Sequence, residues 1–189
     1  LLPGALNRVV ETMGIGEAPA WLYGRAMIVD EKARPTAKGI EGYKRWRGRR
    51  FSYFKLLTEN FIPQMATFWN RHMWSRAGGL NTELDLDMDY DLWLRLTAQH
   101  PVALLDEKLM TRHGGHADQL SRSDWGIDRY RVQSIQKILK TESLRPEDRT
   151  AAIRMLIEKC GILAKGFRKR GNLKEVEKYE KIIRQSSIY

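Results

Sequence analysis

The sequence predicts an α/β domain over residues 1–123 followed by a wholly helical extension over residues 124–189. Three observations lead there. Short apolar runs rich in aromatic and β-branched residues alternate with helix-spaced stretches through the first part of the chain. The character changes after Asp124, beyond which each periodic stretch has helical spacing. Glycine and proline punctuate the chain where helices and turns need them.

Taken in order, residues 2–13 open with Pro3, suited to a first helical position, and carry Leu6, Val9, Val10 and Met13 on one face. Gly14 and Gly16 close that helix. Residues 21–30 predict a strand, with a turn over 31–35. Residues 37–50 predict a polar, basic loop. Residues 51–60 predict a helix with a stripe at Phe51, Phe54 and Leu57. Residues 62–70 mix Phe, Trp, Thr and Met and predict a buried strand. Residues 71–76 form a short helix ended by Gly78-Gly79. Residues 88–99 are apolar almost all round (Tyr90, Leu92, Trp93, Leu94, Leu96), so that helix must be buried. Residues 101–105 predict a short strand. Helices follow over 128–140, 146–167 and 173–184. Asn172 and Glu175 resemble a capping box for the last of them, and the final pair should form an antiparallel hairpin.

Composition bounds the function. The 189 residues carry a net charge of +10, with 42% hydrophobic and 30% charged residues, which is a globular balance. The charge favours anionic partners. No apolar run approaches the ~20 residues of a membrane span, and no signal peptide stands at the start, so a cytoplasmic location is expected. The single Cys160 allows no internal disulfide and no Cys-rich metal site. The chain opens on Leu1 rather than Met, as a fragment or processed product would.

Lys44, Arg45, Arg47, Arg49 and Arg50 form a basic cluster interleaved with Tyr43 and Trp46. Such a cluster can bind nucleic acid by phosphate contact and stacking. It is short and carries no nucleic-acid motif, so a solvated loop is the favoured reading and no nucleic-acid partner is expected. Lys165, Arg168, Lys169 and Arg170 similarly offer either an acidic membrane surface or simple helix packing. Packing is favoured, with peripheral association at the inner membrane face as the second expectation.

Two segments carry chemistry. Glu83, Asp85, Asp87, Asp89 and Asp91 fall at every second position and run directly into the apolar helix. Acids there cap the helix and complement its dipole. One of them can also serve as a general base, which needs a fixed position. The second segment is residues 111–121, where His113 and His116 flank Gly114-Gly115 beside Asp118. Imidazole with carboxylate suits a divalent metal, although loop histidines are usually only polar loop residues.

The segments Asn60-Phe61-Ile62-Pro63-Gln64, Gly78-Gly79-Leu80-Asn81, Met88-Asp89-Tyr90-Asp91-Leu92-Trp93-Leu94-Arg95-Leu96 and Gly114-Gly115-His116-Ala117-Asp118-Gln119-Leu120-Ser121 resemble the second half of bacterial family-2 glycosyltransferases. The resemblance runs from Leu1 to about Leu139. It implies an A-type nucleotide-sugar fold, partial here because the nucleotide-binding strands would precede Leu1, with the helical hairpin appended. It implies inverting, metal-assisted transfer of a sugar from a nucleotide-sugar donor to a glycan or lipid-linked acceptor in cell-surface polysaccharide synthesis.

By that resemblance Asp89 is the base that deprotonates the acceptor hydroxyl. The position before it, usually Glu, is Met88. His116 falls on the metal-contacting histidine, with His113 the alternative, and the ion is Mg²⁺ or Mn²⁺. Gly78, Gly79, Asp91 and Trp93 shape the acceptor side, and Arg129 lies toward the donor diphosphate. The metal's carboxylates would lie upstream, so the 189-residue chain alone is expected to be inactive. The competing reading is a non-catalytic binding or scaffolding remnant in which the acids only cap a helix.

Overall fold

The structure is a computed structural model, and it describes residues 1–14, 19–36, 38–113, 126–141 and 144–187. It is mixed α/β, with a three-stranded sheet and several helices. By contact the chain separates into two compact units, Leu1–Gly79 with His100–Ser123, and Leu80–Gln99 with Asp124–Tyr189.

The first unit is built on β1 (Trp21–Val29), which lies between β2 (Thr67–Trp69) and β3 (Ala103–His113). β2 runs antiparallel to β1 and β3 parallel to it. The β1–β3 register is broken beside Gly24. Tyr23 faces Leu104, yet Arg25 faces Lys108 and Ala26 faces Met110, so β3 takes up extra residues there. Helix α1 (Ala5–Gly14) covers one face of the sheet through Ala5 and Val9, which pack with Leu22 and Leu109. Helices α2 (Lys38–Gly48), α3 (Tyr53–Thr58) and α4 (Arg71–Ala77), with a 3-10 turn over Gln64–Ala66, complete the unit.

Three sequence expectations change in this unit. Residues 37–50 were expected to be a loop, but Lys38–Gly48 is helical. Its glycines disfavour a helix, so long-range contacts supply the support. Glu41 accepts from the Ile28 N–H at 2.7 Å and from Lys108 at 3.0 Å, and Tyr43 reaches Glu59 at 3.1 Å. The strand expected over 62–70 shrinks to three half-buried residues, because the chain after Pro63 makes a 3-10 turn. The strand expected over 101–105 instead runs eleven residues. Its polar second half hides the strand signal. Ion pairs from Glu107 to Arg8, from Asp106 to Arg25 and from Lys108 to Glu41 take the place of apolar alternation.

The second unit is helical, comprising α5 (Met88–Gln99), α6 (Asp128–Leu139), α7 (Pro146–Lys169) and α8 (Leu173–Ser186). Helix α7 buries Ala152, Met155, Leu156, Cys160, Leu163, Ala164 and Phe167, a single stripe with spacings of three and four residues. Arg149 of α7 donates to the Leu139 and Thr141 carbonyls at 2.8 and 2.6 Å, which satisfies acceptors left over at the end of α6. Gly171, at φ 72°, turns the chain into α8, and Phe167 stacks on Tyr179 at 5.7 Å to close the hairpin. The expected capping box is half made. Asn172 accepts from the Glu175 N–H at 3.2 Å, but the Asn172 N–H goes to the Phe167 carbonyl and Glu175 turns to Lys178. Among the described residues no helix is long and apolar enough to cross a membrane.

Gly24 tests the sheet packing. A Cβ there would stand 2.5 Å from Leu109 Cγ and closer still to Cδ1. Leu109 is buried against α1. Gly24→Ala should therefore cost about 1–3 kcal/mol of stability, read as a lower urea midpoint. An unchanged midpoint would contradict this packing.

Candidate functional site

The acidic run divides into members with different surroundings. Glu83 and Asp85 are exposed. Asp87 sits immediately before α5 with φ 59°, a left-handed conformation that aspartate tolerates better than most residues. Its carbonyl accepts the Asp91 N–H at 3.3 Å and so starts the helix. Its side chain is only 8% exposed and meets Arg131 Nε at 2.7 Å. Asp91 is buried and accepts from Arg95 Nε at 2.8 Å, one turn further along. Asp89 stands between them in the first turn of α5, half-buried, with Oδ1 accepting from the Tyr90 N–H at 2.9 Å.

Arg131 ties the start of α5 to α6. Besides Asp87 it approaches Asp128 at 3.5 Å, and its guanidinium carbon lies 5.6 Å from the centre of the Tyr90 ring. Burial on its own would lower the Arg131 pKa, but Asp87, Asp128 and Tyr90 outweigh it and hold the guanidinium above its ordinary value. Asp128 is shared with the buried Lys159 of α7 at 3.0 Å. A connected set of charges therefore links α5, α6 and α7. The alternating acids pointed toward the site, but nothing in the spacing of Arg131 or Lys159 marks them as their partners.

Trp93 is fully buried, and with Asp91 it holds α5 in its unit rather than facing solvent. Gly78 and Gly79, in the first unit, adopt φ 71° and 73° in succession after α4, a path only glycine follows without strain. Arg129 lies in the first turn of α6, donates to the Gly126 carbonyl at 3.3 Å and covers the Tyr130 ring at 5.7 Å. His116 lies outside the described residues. The alternative ligand, His113, is exposed at the end of β3. The Asp30 carboxyl is held below its ordinary value chiefly by the Arg34 backbone N–H and least of all by His113. Among the described residues no three His, Cys, Asp or Glu side chains gather as a metal site would need.

No family model, curated protein or solved structure matches this chain.

The first unit contributes a feature the sequence did not reveal, a cavity of about 310 Å³ lined in part by Arg25, Arg45, Asp106 and Lys108. Of these only Arg45 belonged to the basic cluster recognised in the sequence. The other three come from polar positions in β1 and β3 that a helix-or-strand pattern does not single out.

The buried pair of Asp87 and Arg131 gives a direct test. Arg131→Met leaves a buried carboxylate without its main partner and should cost about 3–5 kcal/mol. Asp87→Asn combined with Arg131→Met should recover part of that loss. Denaturation of these two variants and of Asp87→Asn alone gives the coupling, and strictly additive losses would rule it out.

Proposed function

We propose that this chain carries the acceptor side of a family-2 glycosyltransferase, with Asp89 as the base that takes the proton from the acceptor hydroxyl. The observation that supports the reading best is the placing of Asp89. It is a half-buried carboxylate in the first turn of a helix whose body is buried, and the acids on either side of it are committed to Arg131 and Arg95. A base needs that fixed position, since it must meet the hydroxyl within hydrogen-bond reach.

In the proposed reaction the acceptor oxygen attacks the anomeric carbon as Asp89 accepts its proton, and the bond to the nucleoside diphosphate breaks from the opposite side. The configuration inverts. The mixed α/β character is compatible with part of an A-type nucleotide-sugar fold, which belongs to the same proposal. The donor is a nucleotide sugar, the acceptor a glycan or lipid-linked acceptor, and the resemblance assigns Arg129 to the diphosphate. Mg²⁺ or Mn²⁺ with His116 is the metal expected of the family. The described residues alone do not fit such a site, so only the proton step is derived from them.

The hydrogen bond from the Tyr90 N–H to Asp89 favours one competing reading, in which Asp89 only finishes the helix start of a non-catalytic scaffold. Asp89→Asn separates the two in the intact protein. Incubation with a panel of uridine, guanosine and thymidine diphospho-sugars and a panel of glycan and lipid-linked acceptors, read by nucleoside diphosphate release, should show turnover that falls about 10²–10⁴-fold in the variant. Its circular dichroism and melting temperature should be unchanged. Turnover in the variant equal to that of an active wild-type protein would refute the proposal.

A further inference from the structure

The cavity of the first unit has a charge balance that its own residues leave open. Four cations line it, Arg25, Arg45, Lys108 and Arg112, against two acids, Glu41 and Asp106. Both acids are already engaged. Glu41 uses one oxygen for the Ile28 N–H and the other for Lys108. Asp106 takes Arg25 Nε, and Arg45 stands 3.8 Å away. The guanidiniums of Arg25, then of Arg45 and Arg49, hold the Asp106 carboxyl below the usual range. Four cations less two acids leaves two positive charges uncompensated at the lining. Arg112, exposed at the end of β3, joins none of these pairs.

The side chain of Arg25 is only 15% exposed, and its Nη2 is buried with no hydrogen-bond partner among the described residues. A guanidinium offers five donors in a fixed fork, and leaving one unmet in a buried setting is costly. The broken register of β1 against β3 falls at this residue, the kind of irregularity that re-aims a side chain. The rest of the lining is apolar. Tyr23 and Phe61 meet edge to face at 6.3 Å, and Met65 is exposed beside them. A cavity of about 310 Å³ lies at the small end of ligand sites, so it suits a molecule with a single ring.

We propose that this cavity binds a small organic oxyanion, a one-ring molecule carrying a phosphate or a carboxylate. The oxyanion meets the surplus of Arg45 and Arg112, and the ring lies against Tyr23, Phe61 and Met65. The inference uses neither Asp89 nor sugar transfer and stands if the glycosyltransferase reading fails.

Calorimetric titration of the 189-residue chain at low salt tests it, with phenyl phosphate, benzoate, inorganic phosphate and benzyl alcohol as probes. Phenyl phosphate or benzoate should saturate one site with Kd below about 1 mM. The arm that saturates identifies the oxyanion. Inorganic phosphate should bind at least about tenfold more weakly, and benzyl alcohol should not saturate. Arg45→Glu and Arg112→Glu change exposed residues, should leave the circular dichroism spectrum intact and should each weaken binding about tenfold or more. The proposal is overturned if neither organic anion saturates the folded chain or if both variants bind as the wild type does. It is also overturned if inorganic phosphate or benzyl alcohol binds as tightly as the ring-bearing anion.

Discussion

Helix α5 is apolar almost all round. Tyr90, Leu92, Trp93, Leu94 and Leu96 cover its circumference, and all are buried. Burying side chains of this size contributes about 1.5–3 kcal/mol each, so the helix is held wherever its unit can surround it. That fixes the problem at its first turn, where the chain arrives through a run of carboxylates. Asp87 and Asp91 go under with the helix, and a buried carboxylate needs a cation. Arg131 and Arg95 supply them. Asp128 and Lys159 then extend the arrangement into α7. Much of the second unit follows from surrounding one apolar helix that starts in acid.

The first unit solves the opposite problem. Its sheet is short, and the second half of β3 is polar. A strand of that composition is a poor strand on its own. It is held by parallel pairing with β1 and by ion pairs reaching it from α1, β1 and α2. Those pairs are partly exposed, and each one alone adds little. They matter more for where they leave charge. Asp106 and Glu41 are consumed in holding the sheet and α2 together, while the cations around them outnumber them at the cavity.

How far the sequence foretold this depended on where the determining contact lay. Helices α5 and α7 were legible because their stripes are local and long, and Pro146 and Gly171 mark ends as proline and glycine do. Asp89 was singled out from the acidic alternation and from family resemblance, and the structure adds the arginine partners of its neighbours. Helix α2 was missed because Gly39, Gly42 and Gly48 argue against it, while the contacts of Glu41 that support it lie 13 and 67 residues away. β3 was read too short for a related reason, since its strand character comes from its neighbours rather than its own pattern. The cavity was invisible for the same cause. Arg25, Asp106 and Lys108 are unremarkable singly and are brought together only by the β1–β3 pairing.

The base role proposed for Asp89 turns on a proton. The pH dependence of kcat/KM for nucleotide-sugar turnover therefore tests it most directly, compared between the wild-type protein and the residual activity of Asp89→Asn. A base lost to protonation makes the rate fall on the acid side. The account predicts an acid limb governed by one ionisation in the wild type and absent from the variant. The same acid limb in both proteins would place the base elsewhere and leave Asp89 as a helix cap.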